Sequence, residues 1–118
     1  MISGLTAGVS ALNAIQTKMQ STANNTANIN TDGYKKTRVT LTGGDAPGTV
    51  TAAVQRVEDP GPMVYEPTEK GEVLVEKSNV ELTEELPNLL IDRRAFQANI
   101  KTIQAQDEML GSLLDIKG

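Results

Sequence analysis

The chain has no cysteine, no histidine and no tryptophan among its 118 residues. Without cysteine there is no disulfide and no thiolate metal site. Without histidine the commonest general base and the commonest metal ligand are both missing. Aromatics are scarce, with only Phe96, Tyr34 and Tyr65, so any core is aliphatic. The formal net charge is -4, and only Lys35, Lys36 and Arg38 cluster. Nucleic acid is therefore not expected as a partner. No run approaches the roughly 18 apolar residues of a membrane span. The opening MISGLTAGVSALNAIQ lacks the basic and continuous apolar regions of a secretory signal. Adjacent acidic pairs such as Glu58–Asp59 and Glu84–Glu85 have no nucleophile beside them and read as solvated charge or first-turn carboxylates. Neither an enzyme nor a metal, cofactor or small-molecule site is expected. GGDAPG (43–48) is glycine-rich, but no Gly-Lys-Ser/Thr follows to make a phosphate loop.

What is present divides into three segments. Residues 1–31 read as a helix, with apolar residues recurring at Ile2, Leu5, Val9, Leu12, Ile15 and Met19, and with Ala23 and Ala27 continuing the face. The opposite face carries Ser3, Thr6, Ser10, Asn13, Thr17, Ser21, Asn24 and Asn28, and Lys18 is the only charge before Asp32. A solvated helix normally carries Lys and Glu there. A small, uncharged outer face suits close contact with protein on several sides, more than one short chain supplies. The alternative is a poorly helical, partly disordered start.

Residues 32–78 are rich in Gly, Pro and Thr. TRVTLT (37–42) and TVTAAVQRV (49–57) alternate and are β-branched, as strands are, with GGDAPG as a hairpin loop between them. DPGPMVYEP (59–67) is extended and proline-punctuated, and GEVLVEK (71–77) is a further short strand. Together they predict a small β-rich module with little core of its own.

Residues 79–118 return to helix. Leu82, Leu86, Leu89, Arg93, Phe96, Ile100, Ile103, Asp107, Leu110 and Leu114 alternate in steps of four and three, a repeat that favours left-handed supercoiling around a partner. Asn79 is the expected N-cap. Pro87 predicts a kink, or a helix start near 83–86. Arg93 and Asp107 interrupt the seam, at its margin or as a register device between chains. The expected fold is α+β: long terminal helices packed as a coiled-coil-like pair, with a small β-rich insertion between them.

ANNTANINTDGYKK (23–36) resembles the N-terminal signature of the bacterial flagellar rod and hook proteins, an Ala/Ser-Asn-Asn-x-Ala-Asn run followed by Asn-Thr-Pro-Gly-Tyr and basic residues. SNVELTEELPNLLIDRRAFQANIKTIQAQDEML (78–110) resembles that family's C-terminal helix, with its Arg-Ala-Tyr/Phe-Gln-Ala-Asn centre. VEDPGPMVYEP (57–67) is similar to the Glu-Asp-Pro segment of the family's proximal rod branch, FlgC. Asp32 departs from the usual Pro, leaving the turn type open, and Pro87 departs from an apolar helix former. The middle is also shorter than in that branch.

The resemblance implies a structural subunit of the flagellar basal-body rod in the periplasm. Such a subunit is exported by the flagellar type III apparatus without a cleaved signal and stacks helically on itself and on other rod proteins. It also implies an assembly interface at Leu5, Val9, Leu12, Met19, Asn24, Asn25 and Asn28, with a turn motif at Asn30, Thr31, Gly33 and Tyr34. On the C-terminal helix it implies Leu82, Leu86, Leu89, Arg94, Phe96, Gln97, Asn99, Ile100, Ile103, Leu110 and Leu114. Helices without tertiary packing are marginal in water, so folding is expected to coincide with assembly. The alternatives are another axial protein of the distal rod or hook type, a phage tube subunit, or a coiled-coil adaptor forming a closed oligomer.

Overall fold

A computed structural model describes residues 2–117. The order is α1 (Ile2–Ala27), β1 (Thr37–Gly43), β2 (Val50–Arg56), β3 (Met63–Thr68), β4 (Gly71–Glu76) and α2 (Leu82–Lys117). This is the expected α+β arrangement. The two helices pair within one chain to give a particle 81 × 24 × 18 Å.

Both helix boundaries differ from the sequence reading. α1 stops at Ala27, short of residue 31, because the asparagine run turns the backbone. Asn28 N bonds both Asn24 O and Asn25 O, and Asn28 Nδ2 takes Asn24 O again at 2.8 Å. α2 starts at Leu82, with Glu81 O accepting from Glu84 N and Glu85 N at 3.1 and 3.0 Å. Glu81 is therefore the cap residue, and the expected cap, Asn79, works elsewhere. Its Oδ1 accepts from Lys36 N at 2.7 Å, and its Nδ2 donates to Val57 O and Asp59 O, lashing three loops together. Pro87 lies inside α2. Thr83, whose carbonyl it cannot bond, is exposed.

The helix pair is antiparallel. Gly4 meets Gln106, Gly8 meets Ile103, Lys18 pairs with Asp92, and Asn25 bonds Glu85. Small residues allow the close approach: a Cβ on Gly8 would lie 2.8 Å from Ile103 Cγ1. At ~1.5 Å per residue, α2 is longer than α1 by roughly 15 Å, and its last turns project beyond the end of α1.

The β insertion is two separate antiparallel hairpins, β1–β2 and β3–β4. The first packs on α1. The second touches no other helix or strand among the described residues. In an antiparallel strand each residue's N–H and C=O point to the same side, and successive residues alternate. Val57 N bonds Lys36 O, so Arg56, Val54 and Ala52 direct their backbone groups away from β1. Glu76 O accepts from Gly33 N at 2.9 Å, so Glu76, Leu74 and Glu72 likewise point away from β3.

Candidate assembly surfaces and the Asn25 junction

The most buried large side chain is polar: Asn25 is 2% exposed. Its Oδ1 accepts from Thr37 N at 3.0 Å and from Tyr34 Oη at 3.2 Å. Its Nδ2 donates to Thr37 O at 2.9 Å and to Glu85 Oε1 at 3.2 Å. The amide thus meets Thr37 as the backbone of a neighbouring strand would, closing the outer edge of β1 where it begins. Ser21 Oγ adds a bond to Thr37 O, and further along α1 Ser10 Oγ accepts from Val50 N at 3.0 Å. The helix therefore serves the hairpin as a partial third strand. Every donor and acceptor of the buried amide is used, as burial requires.

Charge is arranged around this junction. Glu85 is 5% exposed, and burial pushes its carboxyl up, with the Asn25 bond working the other way. Its neighbour Glu84 is held low by Lys36 Nζ at 2.9 Å. Asp92 is 3% exposed, with one oxygen 3.1 Å from Lys18 Nζ and the other without a partner. At the base of the second hairpin, Lys35 and the Gly61 N–H hold Glu76 low. Lys77 is raised by Asp32 at 2.9 Å and by Glu66.

The turn motif sits at the same junction. Tyr34 N bonds Thr31 O at 3.2 Å, and Gly33 has a φ of +71° while Asp32 stays negative. That φ pair belongs to a type II turn. Aspartate takes the place where proline is usual and gains Lys77 as a partner. Asn30 is exposed beside the turn.

The helix stripes are rotated from the sequence reading. Toward α2, α1 turns Lys18 and Asn25, while Ser21 meets Thr37 of β1 and Ala14 lies beside Val50 and Ala52 of β2, and Ala14, Ile15, Ser21, Thr22 and Asn25 are buried. Leu5, Leu12 and Met19 are half-buried, whereas Val9, Ala23 and Ala27 are exposed. Asn24 faces out as expected, and Asn28 is half-buried. On α2 the seam runs through Glu85, Leu89, Asp92, Phe96, Ile100, Ile103 and Leu110, with Asn99 beside it. Leu86 is exposed and lies off that seam, as do Arg93, Arg94, Gln97 and Asp107, whereas Leu82, in the heptad position of Leu89, is exposed at the start of α2 and Leu114 on its projecting end. Leu90, Ile91, Met109, Leu113 and Ile116 add further uncovered apolar surface. Ser21, expected on the outer face, and Glu85, expected as solvated or first-turn charge, are buried instead, and the buried Thr22 and Asp92 escaped the sequence reading. The spacing of Glu85 and Asp92, one heptad apart on a single face, was the available signal.

Among the described residues no group of three His, Cys, Asp or Glu could hold a metal, and no helix is long and apolar enough to cross a membrane. The cleft between α1, β1 and α2 is lined by Lys18, Lys36, Arg38, Glu84 and Glu85, charges that largely answer one another.

Two family descriptions match the helix-bearing ends. "Flagella basal body rod protein" matches residues 5–35, and "Flagellar basal body rod FlgEFG protein C-terminal" matches residues 74–116. The chain belongs to the flagellar rod and hook family. Its relatives in the family include the hook protein FlgE of Helicobacter pylori (strain ATCC 700392 / 26695), 44% identical over 43 residues, covering 36% of this chain and 6% of that protein. The hook protein FlgE of Escherichia coli (strain K12) is 40% identical over 43 residues, again 36% of this chain and 11% of the relative. The basal-body rod protein FlgG of Bacillus subtilis (strain 168) is 42% identical over 43 residues, 36% of this chain and 16% of the relative. The chain therefore spans a small fraction of the length of these relatives.

Proposed function

We propose that the chain is a structural, non-catalytic subunit of the flagellar basal-body rod that polymerises through its terminal helices and transmits torque. The observation that supports this best is the helix pair's uncovered surface. Leu82, Leu86 and Leu90 are exposed at four-residue spacing along one side of α2, and Met109, Leu113 and Ile116 form an exposed patch on its projecting end. Apolar surface of this extent marks an interaction site. Its partners are further copies and other rod proteins, after passage through the type III export apparatus, with the periplasmic rod as its place of work. Assignment to the FlgC branch rests on residues 57–67 alone, and the relatives above are of the hook and FlgG types.

The decisive experiment is sedimentation of the purified chain over a concentration series, with electron microscopy of the heaviest fraction. Open-ended polymer is expected. A fixed dimer at every concentration would favour a closed coiled-coil adaptor. In cells, Asn24→Lys should block rod assembly while export continues, and normal rods would refute the outer-face assignment.

A further inference from the structure

The β3–β4 hairpin has no partner element, yet both its faces are apolar. The register puts Tyr65 beside Leu74 on one face and Val64 beside Val75 on the other. Tyr65 is 67% exposed, and Met63, Val64, Val73 and Leu74 are also exposed. A lone two-stranded hairpin is marginal in water, so this one requires a third strand or a cover.

Its two edges are unequal. On β3 the outward residues are Met63, Tyr65 and Pro67, and Pro67 has no N–H to offer. On β4 they are Glu72, Leu74 and Glu76, with neither proline nor lysine to blunt the edge. Only Glu76 O is taken, by Gly33. The β1–β2 hairpin is unequal too. β1 is closed at Thr37 by Asn25 and Ser21, and Val39 is buried. β2 is held by Ser10 at Val50 only, leaving Ala52, Val54 and Arg56 with outward backbone groups and Val54 exposed.

We propose, building on the axial reading above, that β4 of one copy adds antiparallel to β2 of a second copy, with Leu74 opposite Val54. This register also sets Glu72 opposite Arg56. Glu72 lies in no ion pair among the described residues. Arg56 holds only Glu58, at 3.1 Å and with both side chains well exposed, a pairing weak enough to exchange. Opposite charges and apolar pairs then align across the new ladder. Main-chain bonds supply affinity and the side-chain alternation sets the register, as in strand addition generally. The two edges belong to different strands, so after pairing the first copy still has its β2 edge free and the second its β4 edge, and the contact propagates head to tail.

The cysteine-free chain gives a direct test. Directly opposed strand residues have Cα atoms about 4.5–5.5 Å apart, within disulfide range. Under mild oxidant, a mixture of the Leu74→Cys and Val54→Cys single variants should give a cross-linked dimer, while each variant alone stays uncross-linked. The double variant should give a ladder. Glu72→Arg should lower the yield, and Arg56→Glu in the partner should restore it. Absence of the mixed cross-link, self-linking of Leu74→Cys alone, or no rescue by the charge swap would overturn the proposal. Sedimentation of the same samples separates the two claims. Polymer without the cross-link removes strand addition and leaves the axial reading. The cross-link in a closed dimer only removes the axial reading and leaves strand addition.

Discussion

Replacing Asn25 by alanine removes its side-chain hydrogen bonds to Tyr34, Thr37 and Glu85 at a site where water cannot replace them at once. Thr37 O retains Ser21 Oγ as a donor, so its loss is small. Thr37 N has no other acceptor, and a buried donor left unmade costs about 1–3 kcal/mol. Glu85 loses the donor that offsets its burial, a second loss of about 1–3 kcal/mol. The sum, about 2–6 kcal/mol, is a large part of the roughly 5–15 kcal/mol that holds a domain folded. At about 4 °C per kcal/mol, the thermal midpoint should fall by about 8–24 °C, read by circular dichroism at fixed protein concentration. Asn25→Asp separates hydrogen bonding from volume. It keeps the acceptor for Thr37 N but faces Glu85 with a second carboxylate, so it should be worse than alanine at pH 7. Adding Glu85→Gln should recover much of that loss by supplying a donor and removing a charge. If Asn25→Ala melts within about 2 °C of the parent, the junction does not hold the hairpin to the helix and the reasoning fails.

Glu85→Gln alone should stabilise the protein at pH 7. A carboxyl raised by burial favours its protonated form in the folded state, so its cost is fully present above its folded pKa and disappears below the unfolded value near 4.5. The advantage of the variant should therefore vanish as the pH is taken below about 4.5, as a series of melts would show. Gly61→Ala should disturb the base of the second hairpin, because its Cβ would lie 1.9 Å from Lys77 O, a backbone atom that cannot swing away. Faster amide exchange across β3 and β4, with α1 and α2 unchanged, is the expected reading. Lys18→Met should leave Asp92 buried without its cation and cost about 3–5 kcal/mol. A denaturant midpoint unchanged from the parent would contradict the pairing.

The architecture was legible because its signals are periodic. Threes and fours marked both helices, and alternation marked TRVTLT and TVTAAVQRV. The rotation of the helix faces was not, since an apolar stripe says that a face is covered but not by which neighbour. Leu86 belongs to the heptad pattern yet faces outward, because Glu85 and Asp92 turn inward to meet Asn25 and Lys18. Hydrophobic periodicity is blind to a seam built partly from polar groups that satisfy one another. Asn79 misled for a related reason. An asparagine before a helix looks like a cap, and only the folded loops reveal that Lys36, Val57 and Asp59 claim its amide first.

The clamp of Asn25 on Thr37 fixes a phase. Strand registers shift in whole residues, and a slip by one would present to the helix a residue whose backbone points the other way. The angle of the first hairpin about the long axis of the helix pair is thus a discrete choice, not a soft average. In a stack of identical parts, a small angular error in each part adds up along the stack and turns a straight shaft into a wandering one. A single buried amide that tolerates only one alignment works as a machining tolerance.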